Sequence, residues 1–125
     1  MNPRQPLSPH LQIYRLPLTA LLSIAHRITG CLLLTAWLTM VLCLIALALS
    51  REEAWQTLNI WVSSPAVRIM ISGWLFALSL HAVHGIRHLF WDIGLGFERD
   101  TIRWLAQAEA ILTLILTAYL TSGLW

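Results

Sequence analysis

Apolar residues run along this chain in three long blocks separated by short polar stretches. The first block, Ile28 to Leu49, contains no charged residue. The second, Ile69 to Ile86, carries no aspartate, glutamate, lysine or arginine and is interrupted only by His81 and His84. The third, Trp104 to Trp125, has Glu109 as its single charge. Crossing roughly 30 Å of hydrocarbon takes about 20 helical residues, so each block predicts a transmembrane helix. The expected fold is an all-α membrane protein with three transmembrane helices. It forms a single domain over residues 1–125, with an extended N-terminal segment 1–17 and helices near 18–49, 65–92 and 101–124.

Residues 1–17 hold four of the five prolines, which favours extended or turning backbone and a segment laid on another protein. A first helix from Leu18 to Leu49 has 32 residues, or about 48 Å, more than a bilayer needs. Because its charge-free part lies at its end, the surplus is at its start. That places Ser23, His26 and Arg27 at the membrane interface or just inside it. Ser23, Arg27 and Gly30 share a face by their spacings of four and three. The stretch Ser50–Ser64 reads as a loop with Arg51, Glu52, Glu53 and interfacial tryptophans Trp55 and Trp61. Ser64-Pro65 predicts an N-cap and first helical residue, Gly94 or Gly96 a C-terminal stop, and Asp100 a cap for the last helix.

Composition narrows the class further. With 58% apolar residues, 11% charged and a mean hydropathy of +0.69, the chain leaves no room for a separate soluble domain. A net charge of +2, dispersed and entirely arginine on the basic side, gives no footprint for nucleic acid. Cys31 and Cys43 have no metal or redox spacing and read as packing residues. The first apolar block exceeds a signal-peptide core and reads as a retained span. Arg4, Arg15, Arg27, Arg87, Arg99 and Arg103 lie on one membrane side against Arg51 and Arg68 on the other. That asymmetry predicts an N-terminus in the cytoplasm, or in the matrix of an organelle.

The candidate chemistry lies at one end of the second span. At about 100° per residue, His81, His84, Gly85, His88 and Asp92 fall on a single stripe, with Arg87 pointing away. Ionisable groups at membrane depth usually face a partner, a cofactor or water. Three-span topology brings the start of the first helix to the same side, so Ser23, His26 and Arg27 can meet His81, His84 and His88. The absence of CxxC, HExxH, a phosphate-binding glycine loop or a carboxylate pair removes support for hydrolytic chemistry. Neutral imidazole is a good haem ligand, and Ala82 and Gly85 beside His81 leave room for a flat macrocycle. His81 and His88 project in parallel and cannot both bind one iron, so a second ligand comes from His26, His10 or another polypeptide. Against these readings stand interhelical hydrogen bonding for His81, packing for His84, interfacial solvation for His88 and simple positive-inside anchoring for Arg27. Glu109 pairs with a basic group or faces a polar pocket, and Trp37 and Trp74 are deep enough to line a cofactor site.

Three blocks carry a family resemblance: Arg4-Gln-Pro-Leu-Ser-Pro-His-Leu-Gln-Ile-Tyr14, Ser23-Ile-Ala-His-Arg-Ile-Thr-Gly30, and His81-x-x-x-Gly-Ile-Arg-His-Leu-Phe-Trp-Asp92. In this order they resemble the cytochrome b subunit of succinate dehydrogenase, respiratory complex II. The resemblance implies a membrane-anchor subunit, not catalytic alone, within a larger heterodimeric helix bundle. Its implied partners are a second small membrane subunit, an iron–sulfur subunit, a flavoprotein subunit and membrane lipid. It implies haem b with His81 as axial ligand and the opposite ligand from the companion subunit. His26, Arg27 and His88 then belong near the haem propionates, and Ser23 and Arg27 to a ubiquinone site. A start without a basic amphipathic presequence favours a multi-pass protein of the bacterial inner membrane over a mitochondrial precursor. Alternatives are a fumarate-reductase-type anchor using menaquinol, a haem-free structural anchor, and a proton-conducting or transport subunit, which lacks a polar path across the bilayer.

Overall fold

The structure, a computed structural model, describes residues 15–125; the motif at Arg4–Tyr14, with His10, lies outside them. Four helices follow in order: α1 (Leu18–Leu49), α2 (Arg51–Ser63), α3 (Pro65–Asp92) and α4 (Arg99–Thr121). No strand occurs among the described residues. α1, α3 and α4 are long and apolar enough to cross a membrane.

Pro17, with φ −67° and ψ 155°, opens α1; its fixed φ suits an N-terminus, while its missing N–H would break a helix interior. Of α1 only Leu22 and Thr29 are buried, so most of its apolar surface faces outward. That is the expected state of a helix bathed in lipid, where the interior is no less polar than the surround.

The stretch expected as a loop after Ser50 is instead helical. α2 begins immediately after Ser50, with Glu52 and Glu53 in its first turn, where carboxylates favour the positive end of the helix dipole. Gln56 Nε2 donates to Glu52 Oε1 at 3.1 Å, an (i, i+4) pair. The segment from Arg51 to Ser64 has no glycine or proline to stop a helix. It is too short and polar to span, which is why a reading for spans passes over it.

α3 is the hub, packing against α1, α2 and α4. Pro65 occupies its first turn after Ser64, which makes no side-chain capping bond. At its other end Gly94 sits at φ +82°, a conformation that a residue with a Cβ rarely adopts. The Gly94 N–H donates to Trp91 O at 2.9 Å and the Leu95 N–H to Phe90 O at 2.9 Å. This is the paired 5→2 and 6→1 arrangement that satisfies terminal carbonyls. α4 starts at Arg99 with Glu98 as its N-cap, so Asp100 lies in the first turn and does not cap the helix. The Arg68 guanidinium, at the start of α3, lies 5.9 Å from the Trp125 ring, placing the C-terminus on that membrane side.

The core is small and unusually polar. Leu22, Ala77, Leu80, Val83 and Ala106 share it with Thr29, Ser79, His84, Arg87, Glu109 and Thr113. Ala106, Glu109 and Thr113 form one stripe of α4 by their spacing. Polar side chains gather inside because only other helices can satisfy them at membrane depth.

Candidate functional site

The start of α1 and the end of α3 meet through four imidazoles. His26 stacks on His81 with centroids 3.9 Å apart and planes 14° from parallel. It lies 4.7 Å from the His84 ring and 6.0 Å from that of His88. His84 and His88 meet edge to face at 4.9 Å, and His88 meets Trp91 the same way at 5.0 Å. These are ring-to-ring contacts. No three His, Cys, Asp or Glu side chains among the described residues converge on a point suited to a bare metal ion.

The hydrogen bonds of His81 settle which of its nitrogens is free. Its Nδ1 lies 3.2 Å from the His26 carbonyl oxygen and 3.3 Å from Thr29 Oγ1. A carbonyl can only accept, so Nδ1 carries the proton and donates. Nε2 then keeps its lone pair, the state in which a histidine ligates iron, its other nitrogen held by a backbone carbonyl. Thr29 also donates to the His26 carbonyl at 2.9 Å, which fixes the local geometry of α1 around the ring. Gly30 completes the seat. A Cβ there would come 3.3 Å from His81 Cε1.

His84, expected as a packing or hydrogen-bonding group, is fully enclosed at 0% exposure. Its Nδ1 donates to Glu109 Oε1 at 2.6 Å, and His88 Nε2 donates to its Nε2 at 3.2 Å. Arg87 does not point to the surface. It is 5% exposed, because α4 covers that side of α3 and supplies Glu109. Arg87 Nη1 lies 2.7 Å from Glu109 Oε2, an ion pair without hydrogen-bond alignment, and the guanidinium lies over the Trp91 ring at 4.8 Å. Glu109 thus has its basic partner within the chain.

The structure therefore unites His26, His81, His84 and His88, and adds Thr29, Arg87 and Glu109. Ser23 is half-buried one turn before His26, and Arg27 is exposed on α1. Asp92 is exposed at the end of α3. Trp74 Nε1 donates to Thr35 Oγ1 at 3.2 Å, joining α1 to α3 two turns from His81, and Trp37 is exposed. His26 Nε2 is buried with no hydrogen-bond partner among the described residues. The (i, i+3, i+7) stripe of Ala106, Glu109 and Thr113 was the available signal for Glu109; its partner could not be read from α4 alone.

Residues 1–121 match the family model described as succinate dehydrogenase/fumarate reductase transmembrane subunit. The chain belongs to this family. It is 40% identical over 118 residues to the succinate dehydrogenase cytochrome b556 subunit of Paracoccus denitrificans, covering 89% of this chain and 90% of the relative. It is 34% identical to the cytochrome b556 subunit of Rickettsia felis, over 94% of this chain and 90% of that one. Against the mitochondrial cytochrome b560 subunit of Sus scrofa, identity is 34% over 99% of this chain and 72% of the relative. Membership, bacterial relatives and three candidate spans make this a multi-pass protein of the bacterial inner membrane.

Proposed function

We propose that this chain is the haem b-binding membrane-anchor subunit of a succinate:ubiquinone oxidoreductase, with its N-terminus on the side of the catalytic subunits. The single observation that carries the reading is the donation by His81 Nδ1 to the His26 carbonyl, which leaves Nε2 as a free ligand in a half-buried site. Relatives named as succinate dehydrogenase cytochrome subunits favour this reading over a fumarate-reductase-type anchor or a haem-free one. Arg4, Arg15, Arg27, Arg99 and Arg103 outnumber Arg51 and Arg68 even with Arg87 neutralised by Glu109, which supports a cytoplasmic N-terminus.

The residues fit a haem. His81 Nε2 would ligate the iron from this chain, and a second small membrane subunit would supply the other ligand. The unpartnered His26 Nε2 and the exposed Arg27 guanidinium are the groups available to propionates, and His88, whose Nε2 proton goes to His84, would serve a propionate only as an imidazolium with both nitrogens protonated. Haem b, when bound, supplies one-electron chemistry. The chain's own part is to hold and orient. Thr29 and the His26 carbonyl keep the His81 ring in one tautomer, and Gly30 lets α1 approach it.

Ser23 and Arg27 lie at the same membrane end and are assigned to ubiquinone. A serine hydroxyl donates to a quinone carbonyl oxygen, and a guanidinium stabilises negative charge that grows on that oxygen during reduction. Electrons from succinate reach this end through the flavoprotein and iron–sulfur partners.

Two predictions test these assignments in the purified complex. Arg27→Leu is expected to lower kcat/KM for a ubiquinone analogue by about 100-fold, the scale of losing one charge-stabilising donor, while the b-type band stays. An unimpaired quinone reductase would remove Arg27 from the quinone site. Gly30→Ala is expected to shift the reduced α-band, because the His81 ring must move by a few tenths of an ångström to admit the new methyl. Gly30→Val should deplete haem. Unaltered spectra and haem content in both would show that α1 does not set the ring.

A further inference from the structure

Within the reading that His81 is the axial ligand, the structure raises a selection problem. His84 is the same chemical group one turn further along the same helix, and an unrestrained imidazole there would compete for the iron. His81 meets the requirement for a ligand, with one nitrogen held and the other open. His84 does not. Its Nδ1 is committed to Glu109 at 2.6 Å, its Nε2 lone pair accepts from His88 at 3.2 Å, and its ring has no exposed surface. Ligation through Nε2 would break the His88 bond; because the ring is fully enclosed it would also have to leave its seat to meet the iron, carrying Nδ1 away from Glu109 and leaving that carboxylate without its imidazole partner inside the membrane.

Glu109 is itself held from behind. Arg87 Nη1 sits 2.7 Å from its second oxygen, and Arg87 is in turn covered by the Trp91 ring at 4.8 Å. The groups facing His84 are thus Glu109 from α4, His26 from α1, and Arg87 and His88 from its own helix. The Glu109 carboxylate fixes the imidazole tautomer: an obligate acceptor 2.6 Å from Nδ1 outweighs Arg87 Nη2, an obligate donor 3.4 Å from the same atom.

We propose that Glu109 is a positioning residue that withholds His84 from the haem iron, so that His81 alone ligates from this chain. The carboxylate comes from α4 and the two histidines from α3, so ligand choice depends on the packing of these two helices. Arg87 serves as the counter-charge that makes a carboxylate tolerable there.

The test uses the whole purified complex, low-temperature electron paramagnetic resonance of ferric haem and reduced-minus-oxidised optical spectra. Arg87→Leu with Glu109→Leu removes both buried charges together and frees His84. The expected result is a second set of low-spin g values and a split α-band, both lost on adding His84→Leu. Glu109→Gln, which keeps an oxygen acceptor for Nδ1, is expected to retain the single signal. A single wild-type signal in the Leu/Leu variant would overturn the inference, as would a second signal that survives His84→Leu.

A second comparison leaves Glu109 in place and does not depend on that variant assembling. The spectra of His81→Leu and of His81→Leu with His84→Leu should be identical, because a latched His84 cannot take over. A low-spin signal present in the former and absent in the latter would overturn the inference while leaving His81 as the native ligand. A His81→Leu spectrum indistinguishable from wild type would instead overturn the ligand assignment on which the inference rests.

Discussion

Replacing Glu109 with alanine is expected to destabilise the folded subunit by about 3–5 kcal/mol, the scale for removing one partner of a buried ion pair. Arg87 is 5% exposed and Glu109 4%, so removing the carboxylate strands a guanidinium that neither water nor lipid headgroups can reach. The same substitution leaves His84 Nδ1 without an acceptor. Replacing both Arg87 and Glu109 with leucine should cost much less, within about 1–2 kcal/mol of wild type, because no uncompensated charge remains and apolar side chains refill the space. The check is a double-mutant cycle on the purified complex, followed by denaturant or thermal unfolding of the anchor helices. Equal losses for the single and double substitutions would show that the pair does not join α3 to α4 energetically.

His81→Leu carries the second large effect. Leucine has no nitrogen to offer iron, while its bulk and apolarity suit the span, so the helix should still insert. Removing a group that merely holds a ligand in place typically weakens a metal site by about 10–100-fold, and loss of the ligand itself should exceed that. The b-type band of the reduced-minus-oxidised spectrum is therefore expected to disappear or shift, with the catalytic subunits still attached. An unaltered band would exclude His81 as ligand. A wild-type complex with no band at all would reduce the site to Ser23 and Arg27.

Much of the architecture is legible in the amino-acid order because hydrophobic length is a one-dimensional property. Blocks of about 20 apolar residues span a bilayer whatever they pack against. The arginine asymmetry and the glycine at Gly94 are equally local signals. The histidine stripe of α3 follows from helical period alone, and alternating topology brings His26 to the same end, where it stacks on His81. Family motifs then attach roles to these positions. α2 escaped because a short polar helix and a surface loop share one composition, and the difference lies in whether any residue interrupts the backbone bonding.

What the chain order alone determined is which helices cross the membrane, which end collects the imidazoles and which family the protein belongs to. What only the tertiary structure decided is the partner of each polar atom. Helical period places Arg87 off the stripe but cannot say whether that side meets lipid, water or α4; the packing of α4 makes it buried and paired. Glu109 lies far from His84 in sequence, and a hydrogen bond between them at 2.6 Å depends on the rotation and register of two helices about each other. The proposed separation of a ligand from its near twin rests on the same fact. His81 and His84 are chemically identical and three residues apart; the α1 carbonyl leaves one with a free nitrogen, while Glu109 of α4 and His88 of α3 itself leave the other none.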